Sequence, residues 1–356
     1  MEDYLSHIEL KRIQKNKNWN DFEWFIDGKK LCEYLNEKQA VELPEIVTHH
    51  FDDLCPAWTK ELDYSGDVRF VWSLQNLEKA IMPIYLCPDD LDFSCIVIVI
   101  EIEKNEDFVR WNRAGYVKND KYNLQDEIRS GIANLESYSD KDWEKYGDNI
   151  ALAEVNSPEW SEWISQNWNE ELFRRRINYT YPSYQKEDSI LWFADLDFSF
   201  DRCEYEKMVD EYWNSETLIY LEKYSKSKMR FKDCVELIES ITRNGYEKLE
   251  EHLSDFGEVL LHIYASDEIG NPLFELLKNK GNEELIKVYS KVIELMWKYG
   301  EDPVVNVVDV TLLERLSDDK DVWNGLGKYI SDDFKEYINK DLIRNNIAMG
   351  GVMPIE

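Results

Sequence analysis

Short apolar runs separated by turn-forming residues dominate the first half of the chain. Residues 22–26 read F-E-W-F-I, with a large apolar side chain at every second position, and Asp27-Gly28 follows, which predicts a strand that ends in a tight turn. Similar runs predict further strands at residues 7–13, 68–74, 81–86, 93–102, 108–117 and 190–200. Pro83 indicates that its strand lies at a sheet edge or bends there. We therefore expect a mixed, mainly antiparallel sheet with flanking helices.

Beyond residue 230 the spacing of the apolar residues becomes helical. One helix is predicted to begin after the cap Asn282 and to end at Gly300 in a left-handed conformation. Its apolar stripe consists of Leu285, Val288, Tyr289, Val292 and Met296. Asn271-Pro272, Asp302-Pro303 and Ser331 are further predicted helix starts. The pattern predicts an array of short helices that bury one another's apolar faces.

The two patterns define two domains. At 356 residues the chain exceeds the length at which a single hydrophobic core usually keeps growing. The polar segment 223–230, which reads K-Y-S-K-S-K-M-R, separates the strand-rich part from the helical part. We predict an α+β domain at residues 1–225 and an all-α domain at residues 226–356, so the fold class is α+β.

The net charge restricts the partners that this chain can bind. There are 73 Asp and Glu against 42 Lys and Arg, a formal net charge of −31. Residues 226–356 hold 26 acidic and 17 basic side chains, a net of −9, so residues 1–225 carry the remaining −22. A surface this negative repels nucleic acid and anionic lipid and attracts basic proteins. We expect no nucleic-acid or membrane partner. We expect a basic protein partner, which binds the N-terminal domain because most of the excess negative charge lies there.

Targeting and redox signals are few. The first residues show no basic start followed by an apolar stretch, and the longest apolar run, residues 95–100, is too short to span a bilayer. The six cysteines lie far apart without a C-x-x-C pair, a pattern typical of reduced thiols in a chain that folds without disulfides. We expect a cytoplasmic protein.

One cluster of residues has the composition of a metal site. His49, His50, Asp52, Asp53 and Cys55 place five potential ligands within seven residues. Adjacent side chains on an extended chain point in opposite directions, so only a loop could bring these groups to one ion. A polar loop without metal is the favoured interpretation, and a metal-dependent hydrolase that uses the two histidines and two aspartates is the alternative.

Other catalytic signatures are missing from the sequence. There is no G-x-S-x-G elbow, no G-x-G-x-x-G and no phosphate-binding G-x-x-x-x-G-K, so no cofactor is predicted. Arg174, Arg175 and Arg176 form the densest basic run, and the favoured interpretation is that they pair with Glu170 and Glu171 on the same helix. An anion contact is the alternative.

Two acidic segments are the candidates for partner binding. Asp195 and Asp197 alternate with Leu196 and Phe198, which predicts carboxylates on the solvent face of a strand. A solvated face without function and a docking surface for a basic partner both fit this pattern, and the docking surface is the functional hypothesis. The predicted contact residues are Asp89, Asp90, Asp92, Trp192, Asp195, Asp197 and Asp201, with Trp192 as an aromatic anchor.

Several segments resemble a group of bacterial proteins. HIELKRIQKNKNWNDFEWFIDGKKLCEYL, DLCPAW, PIYLCPDDLDFSCIVIVIEIEK and WEKYGDNIAL are similar to uncharacterised proteins of polymorphic-toxin loci, which are taken to be immunity factors. GEVLLHIYASDEIGNPLFELLKNKGNEELIKVYSKVIELM, with NVVDVTLLERLSDDK, resembles a helical domain of unknown function from the same settings.

The resemblance implies a role and transfers no catalytic residue. Together with the charge, it leads us to expect a non-enzymatic immunity protein that binds and neutralises a basic, nuclease-type toxin through an acidic surface. The metal-dependent hydrolase and an interaction scaffold unconnected with toxins remain the alternatives.

Overall fold

The computed structural model describes residues 5–12, 22–43, 51–62, 65–89, 91–93, 96–118, 158, 162, 176, 180–343 and 354–355. The chain divides into two compact units, Met1–Met208 and Val209–Glu356. An antiparallel sheet region in the first and a helical array in the second confirm the predicted α+β class. The division lies within the helix Arg202–Lys223, and the predicted boundary after residue 225 lies just beyond the end of that helix.

In its described residues, the N-terminal unit contains two antiparallel sheets. The strands are β1 (Ile8–Arg12), β2 (Phe22–Ile26), β3 (Lys29–Lys30), β4 (Cys55–Pro56), β5 (Lys79–Leu86), β6 (Val97–Lys104), β7 (Phe108–Val117) and β8 (Ile190–Asp201). One sheet has the order β1-β2-β3 and the other the order β4-β5-β6-β7-β8. The helices of this unit are Leu31–Lys38, Ser65–Leu74 and the short Tyr181–Tyr184, and the chain then enters the long helix Arg202–Lys223. Every strand pair among the described residues is antiparallel, so the mixed sheet that we expected is not seen there.

The strand predictions hold where turn residues bound them. Asp27 and Gly28 both have positive φ, 50° and 80°, and join β2 to β3 as a tight turn of the hairpin type. The sequence predicts a sheet edge or a bend at Pro83. In the described residues β4 pairs only with Leu86 and Tyr85, so at Pro83 the strand β5 has β6 as its strand neighbour on one side. The pairing register of β5 and β6 shifts directly after Pro83, as a bend requires.

One predicted strand is a helix. Residues 68–74 read V-R-F-V-W-S-L and belong to the helix Ser65–Leu74. Val71, Trp72 and Leu74 are buried, so the helical face that packs on the sheet decides the conformation over the β propensity of valine and tryptophan.

Four tryptophans form the centre of the N-terminal core. The Trp24 ring lies 4.4 Å from the Trp58 ring and 5.5 Å from the Trp111 ring, both edge-on, and Trp58 lies 6.0 Å from Trp72. All four are at most 1% exposed. Edge-to-face packing of this kind adds to the burial of apolar area, so the core is held by aromatic residues from two sheets and one helix.

Gly115 allows β8 to lie against β7 at its most crowded point. A Cβ at this position would lie 2.3 Å from Cγ2 of Ile190 and 2.8 Å from the ring of Trp192. A side chain at position 115 would displace both residues, so the close packing of Ile190 and Trp192 on β7 requires glycine there.

After the long helix, the described residues of the C-terminal unit form helices joined by short loops. Its further segments are Phe231–Ser240, Gly245–Phe256, Leu261–Ala265, Asn271–Asn279, Glu283–Tyr299, Asp302–Val307, Glu314–Ser317, Lys320–Leu326 and Asp332–Tyr337. Three π-helical segments, Ser266–Gly270, Val308–Leu313 and Ile338–Ile343, continue the helices that precede them. One continuous cluster of apolar residues fills the interior of the array.

Helix ends in this unit test the predicted caps. The side chains of Asn282 and Ser331 accept hydrogen bonds from the N–H groups of Leu285 and Phe334, so both predicted caps are confirmed. The left-handed conformation predicted for Gly300 is wrong. Gly300 is extended, with φ −62° and ψ 142°, because its neighbours on both sides bond to the backbone of Met229.

The α-helix predicted at Asn271-Pro272 does begin at Asn271, with Pro272 in its first turn, but Asn271 does not cap a free helix end. The chain is helical from Leu261 through the π-helical Ser266–Gly270 to Asn279, so Asn271 lies within a helical run. A wider π turn directly before Pro272 relieves the clash that a proline ring makes with a regular preceding turn. Among the described residues, no helix is both long and apolar enough to cross a membrane.

Candidate functional site

Strand β8 presents two carboxylates to solvent at the edge of the five-stranded sheet. Ala194, Leu196 and Phe198 are buried, whereas Asp195 and Asp197, which alternate with them, are exposed. The predicted alternation is therefore confirmed, since successive side chains of a strand point to opposite faces. We call Asp195 and Asp197 the acidic edge.

The carboxylates of the acidic edge form no hydrogen bond or ion pair with any described residue. Two cations lie beside this edge: Arg113 lies opposite Asp195 in the strand register of β7 and β8 but directs its guanidinium to Glu101 and Glu187. The ammonium of Lys38 donates to the backbone carbonyls of Asp195 and Leu196, each at 3.0 Å, and not to the carboxylates. Asp197 has a positive φ of 54° within the strand. Both side chains are thus available to a cation from another molecule.

The backbone of this edge is occupied. The N–H of Ser6 donates to the carbonyl of Ser199 and the N–H of Ala40 to the carbonyl of Phe193, each at 2.7 Å. Together with Lys38, these contacts use four carbonyls along β8, which hinders the addition of a further strand. A partner would therefore be recognised through side chains and not through a backbone ladder.

Trp192, the predicted anchor, is held within the protein. The guanidinium carbon of Arg113 lies 4.0 Å from the centre of the Trp192 ring, and the indole N–H donates to Glu187 at 2.9 Å. Arg113 also donates to both carboxylate oxygens of Glu101 at 3.0 Å and pairs with Glu187 at 2.8 Å. One face of the indole is thus covered by Arg113, and the half-buried Trp192 helps to orient this surface network.

The other predicted contact residues have different roles. Asp201 caps the helix Arg202–Lys223, because its Oδ1 accepts the N–H of Glu204 at 3.0 Å. Asp89 is exposed and forms no hydrogen bond or ion pair with a described residue. Asp90 lies outside the described residues.

Asp92 belongs to a buried ion cluster, which we define as Asp67, Asp92, Arg176 and Tyr181. Arg176 is 2% exposed, and its Nε and Nη2 lie 2.9 Å and 3.2 Å from the two oxygens of Asp67. Its Nη2 also lies 3.4 Å from Asp92, and the hydroxyl of Tyr181 donates to Asp67 at 2.9 Å. Two carboxylates therefore compensate the buried guanidinium, and a tyrosine helps to fix the pair.

The protonation of Asp67 links this cluster to pH. Burial raises the pKa of Asp67 to about 6, although Arg176 and the hydrogen bond from Tyr181 act in the opposite direction. Because the native pKa is raised above the unfolded value, the native state binds the proton more tightly. The contribution of Asp67 to the free energy of unfolding is therefore fully present below the unfolded pKa and is lost as the pH rises towards about 6.

Sequence reasoning missed the role of Arg176. The basic run was predicted to pair with Glu170 and Glu171, whereas the described partners of Arg176 are Asp67 and Asp92. Arg174 and Arg175 lie outside the described residues. The partners of Arg176 are distant along the chain, so no local pattern marks them.

Glu23 is a second buried carboxylate of the N-terminal unit. It is 1% exposed and accepts hydrogen bonds from the hydroxyl of Tyr85 and, at 3.0 Å, from the N–H of Trp24. The thiol of Cys32 lies 3.7 Å from its other oxygen. Burial raises the pKa of Tyr85 well above its usual value, so this tyrosine acts as a neutral donor to the carboxylate.

The predicted metal cluster is only partly described. Asp52 and Asp53 are exposed on the turn Phe51–Asp53, and His49 and His50 lie outside the described residues. Burial raises the pKa of the Cys55 thiol to about 12, so the thiol is protonated at neutral pH. Within the described part of the chain, no group of three or more His, Cys, Asp and Glu is arranged to hold a metal ion.

Comparison with known proteins gives one match. Residues 231–345, which span the helices from Phe231 to the last π-helical segment, match the family described as Domain of unknown function (DUF7674). This is less than half of the chain. No curated protein and no solved structure matches the sequence.

Proposed function

We propose that this chain is a non-enzymatic immunity protein of the bacterial cytoplasm, which binds a basic, nuclease-type toxin and neutralises it. The observation that carries the proposal is the acidic edge, where the carboxylates of Asp195 and Asp197 are exposed and form no bond with a described residue. The toxin as partner rests on the resemblance to proteins of polymorphic-toxin loci.

The charge distribution supports a basic partner. The net charge of −31 gives a long-range attraction to cationic proteins and a repulsion from nucleic acids. A nuclease is basic where it holds phosphates, so exposed carboxylates offer it an alternative ligand and accelerate its association with the inhibitor. Asp89 adds a further exposed carboxylate with no described partner.

The buried polar groups support a binding role over a catalytic one. Asp67 and Arg176 form an ion pair in the buried ion cluster, and Glu23 accepts hydrogen bonds from Tyr85 and the backbone of Trp24. Each of these groups has its partner inside the protein and is at most 2% exposed, so none is presented to a substrate.

Co-expression with the protein encoded next to its gene tests the proposal. We expect that the full-length chain restores growth of cells that produce the neighbouring toxin and that the two proteins purify as a complex. The double substitution Asp195→Asn and Asp197→Asn should weaken that complex by about tenfold, since each lost carboxylate removes a charge-assisted contact.

The matched control removes two charges elsewhere. Glu283→Gln and Glu284→Gln change two exposed residues at the start of a helix of the C-terminal unit and lower the net negative charge by the same amount. We expect this variant to rescue growth as well as the unaltered chain. Failure of the unaltered chain to rescue growth, or an equal loss in both variants, would contradict the proposal.

A further inference from the structure

Four exposed apolar side chains lie on the C-terminal unit, in segments rich in acidic residues and distant in sequence from the acidic edge. They are large and 36–46% exposed. We define the apolar patch by these residues: Phe256, Leu260, Ile263 and Val310. Exposed apolar clusters with a polar rim are typical of protein-binding surfaces.

His252 organises one half of the patch from below. It is 7% exposed, its ring lies 4.7 Å from the ring of Phe256, and its Nε2 accepts the N–H of Leu260 at 3.1 Å. The turn between the helices Gly245–Phe256 and Leu261–Ala265 is therefore fixed by one side chain. Because this contact already orders the turn that carries Phe256 and Leu260, a partner that binds there loses little conformational entropy.

A hydrogen bond joins the second half of the patch to the first. Nδ1 of His262 lies 2.6 Å from Oγ1 of Thr311 and connects the helix Leu261–Ala265 to the π-helical segment Val308–Leu313. Ile263 follows His262 in the chain and Val310 precedes Thr311, so both lie beside this link. The segments Ser266–Gly270 and Val308–Leu313 are both π-helical, and π turns occur frequently at functional sites.

The two chain segments that contain the patch residues hold acidic side chains and no lysine or arginine. Residues 249–277 contain no Lys or Arg, and their acidic residues are Glu250, Glu251, Asp255, Glu258, Asp267, Glu268 and Glu275. Of these, Glu268 pairs with Lys248 at 2.6 Å. Residues 299–314 also contain no Lys or Arg and add four acidic residues. A second copy of this chain, an anionic membrane and a nucleic acid would all bring negative charge to this surface.

We infer that the apolar patch binds a cationic amphipathic helix of another protein. The apolar face of such a helix would cover Leu260, Ile263 and Val310, and its lysine and arginine side chains would reach acidic residues such as Asp255 and Glu258 at the rim. This site is separate from the acidic edge, so the inference depends neither on the function of Asp195 and Asp197 nor on the identity of the toxin.

Peptide binding to the full-length protein tests this inference. The probe is an 18-residue peptide of leucine and lysine with leucine at helical spacing, labelled for fluorescence anisotropy. We expect it to bind at least about tenfold more tightly than a scrambled peptide of the same composition, because only the first can bury a continuous apolar face. A leucine and glutamate peptide with the same spacing should not bind.

Two variants locate the site. Leu260→Ser and Val310→Lys should each weaken binding by about tenfold, as expected for the loss of one buried apolar contact. Because both side chains are exposed, far-ultraviolet circular dichroism should be unchanged, and either variant alone is sufficient for the test. Leu77→Ser, at an apolar residue of the N-terminal unit that is 47% exposed, is the matched control and should bind as the unaltered chain does.

Three results would overturn the inference. Equal affinity for the scrambled peptide would show that only net charge attracts the probe. An equal loss in Leu77→Ser would show that the contact is not at the patch. A dimer in sedimentation velocity that Leu260→Ser disperses would show that the patch binds a second copy of the chain.

Discussion

Replacing Arg176 by methionine is expected to lower the free energy of unfolding by about 3–5 kcal/mol at neutral pH, because it leaves Asp67 buried without its cation. Asp67 is fully buried and its remaining described partner is the hydroxyl of Tyr181. Methionine fills a similar volume, so the loss reports the uncompensated charge and not a cavity. Urea denaturation followed by circular dichroism measures it.

The pH dependence of this loss identifies its cause. Arg176 holds the pKa of Asp67 below the value that burial alone would give, so removal of Arg176 raises that pKa beyond about 6. A carboxyl whose native pKa is raised stabilises the native state at low pH, and this stabilisation is lost as the pH rises through the native pKa. The deficit of the variant should therefore be smaller in mildly acidic than in mildly alkaline buffer.

Two further variants separate the ion pair from other effects. Adding Asp67→Asn to the Arg176 substitution should recover most of the loss, since the buried charge is then removed as well. Arg113→Met changes an arginine that is half-exposed and paired with Glu101, and we expect it to cost no more than about 1 kcal/mol. A deficit in Arg176→Met that is independent of pH would contradict this explanation.

Trp111→Ala should destabilise the N-terminal unit by about 3–5 kcal/mol, as large-to-small substitutions of buried aromatic residues do. Trp111 is fully buried on β7, with ring distances of 5.5 Å to Trp24, 5.4 Å to Phe200 and 6.4 Å to Tyr205. Its removal opens a cavity among rings that cannot close around it. Urea denaturation gives the change in free energy, and hydrogen exchange of the β6 and β7 amides shows where protection is lost.

Trp192→Ala is the control on the neighbouring strand. Trp192 is half-buried and packs against Arg113 at the surface, so its truncation creates no enclosed cavity. We expect a clearly smaller loss than for Trp111→Ala. Equal losses would mean that the tryptophan cluster does not form the centre of the core.

Local signals predicted much of this fold. The turn at Asp27-Gly28, the caps Asn282 and Ser331 and the alternation along β8 are set by residues that lie next to one another in the chain, and each is found as predicted. The failures occur where distant contacts decide. Gly300 is extended because Met229 pairs with its neighbours.

At the candidate site, too, features set by neighbouring residues were predictable and features set by distant contacts were not. The exposure of Asp195 and Asp197 follows from the period of a strand and was predictable. Asp92 and Asp201 are also carboxylates, but each has a partner within the protein. Asp201 caps a helix, and Asp201 followed by Glu204 is a local capping pattern that we did not predict. Asp92 pairs with the distant Arg176, which has no local signature. The apolar patch was not predicted either, because Phe256, Leu260 and Val310 belong to stripes that a sequence pattern assigns to a core.

The central claim is that Asp195 and Asp197 contact a basic toxin. Stopped-flow measurement of the rate at which the chain associates with that toxin, at several salt concentrations, tests it most directly. If Asp195 and Asp197 meet a basic partner, their replacement by asparagine slows association markedly at low salt, and the difference from the unaltered chain shrinks as the Debye length falls from about 10 Å to about 3 Å between 0.1 M and 1 M salt. Association rates equal to those of Glu283→Gln with Glu284→Gln at every salt concentration would contradict it.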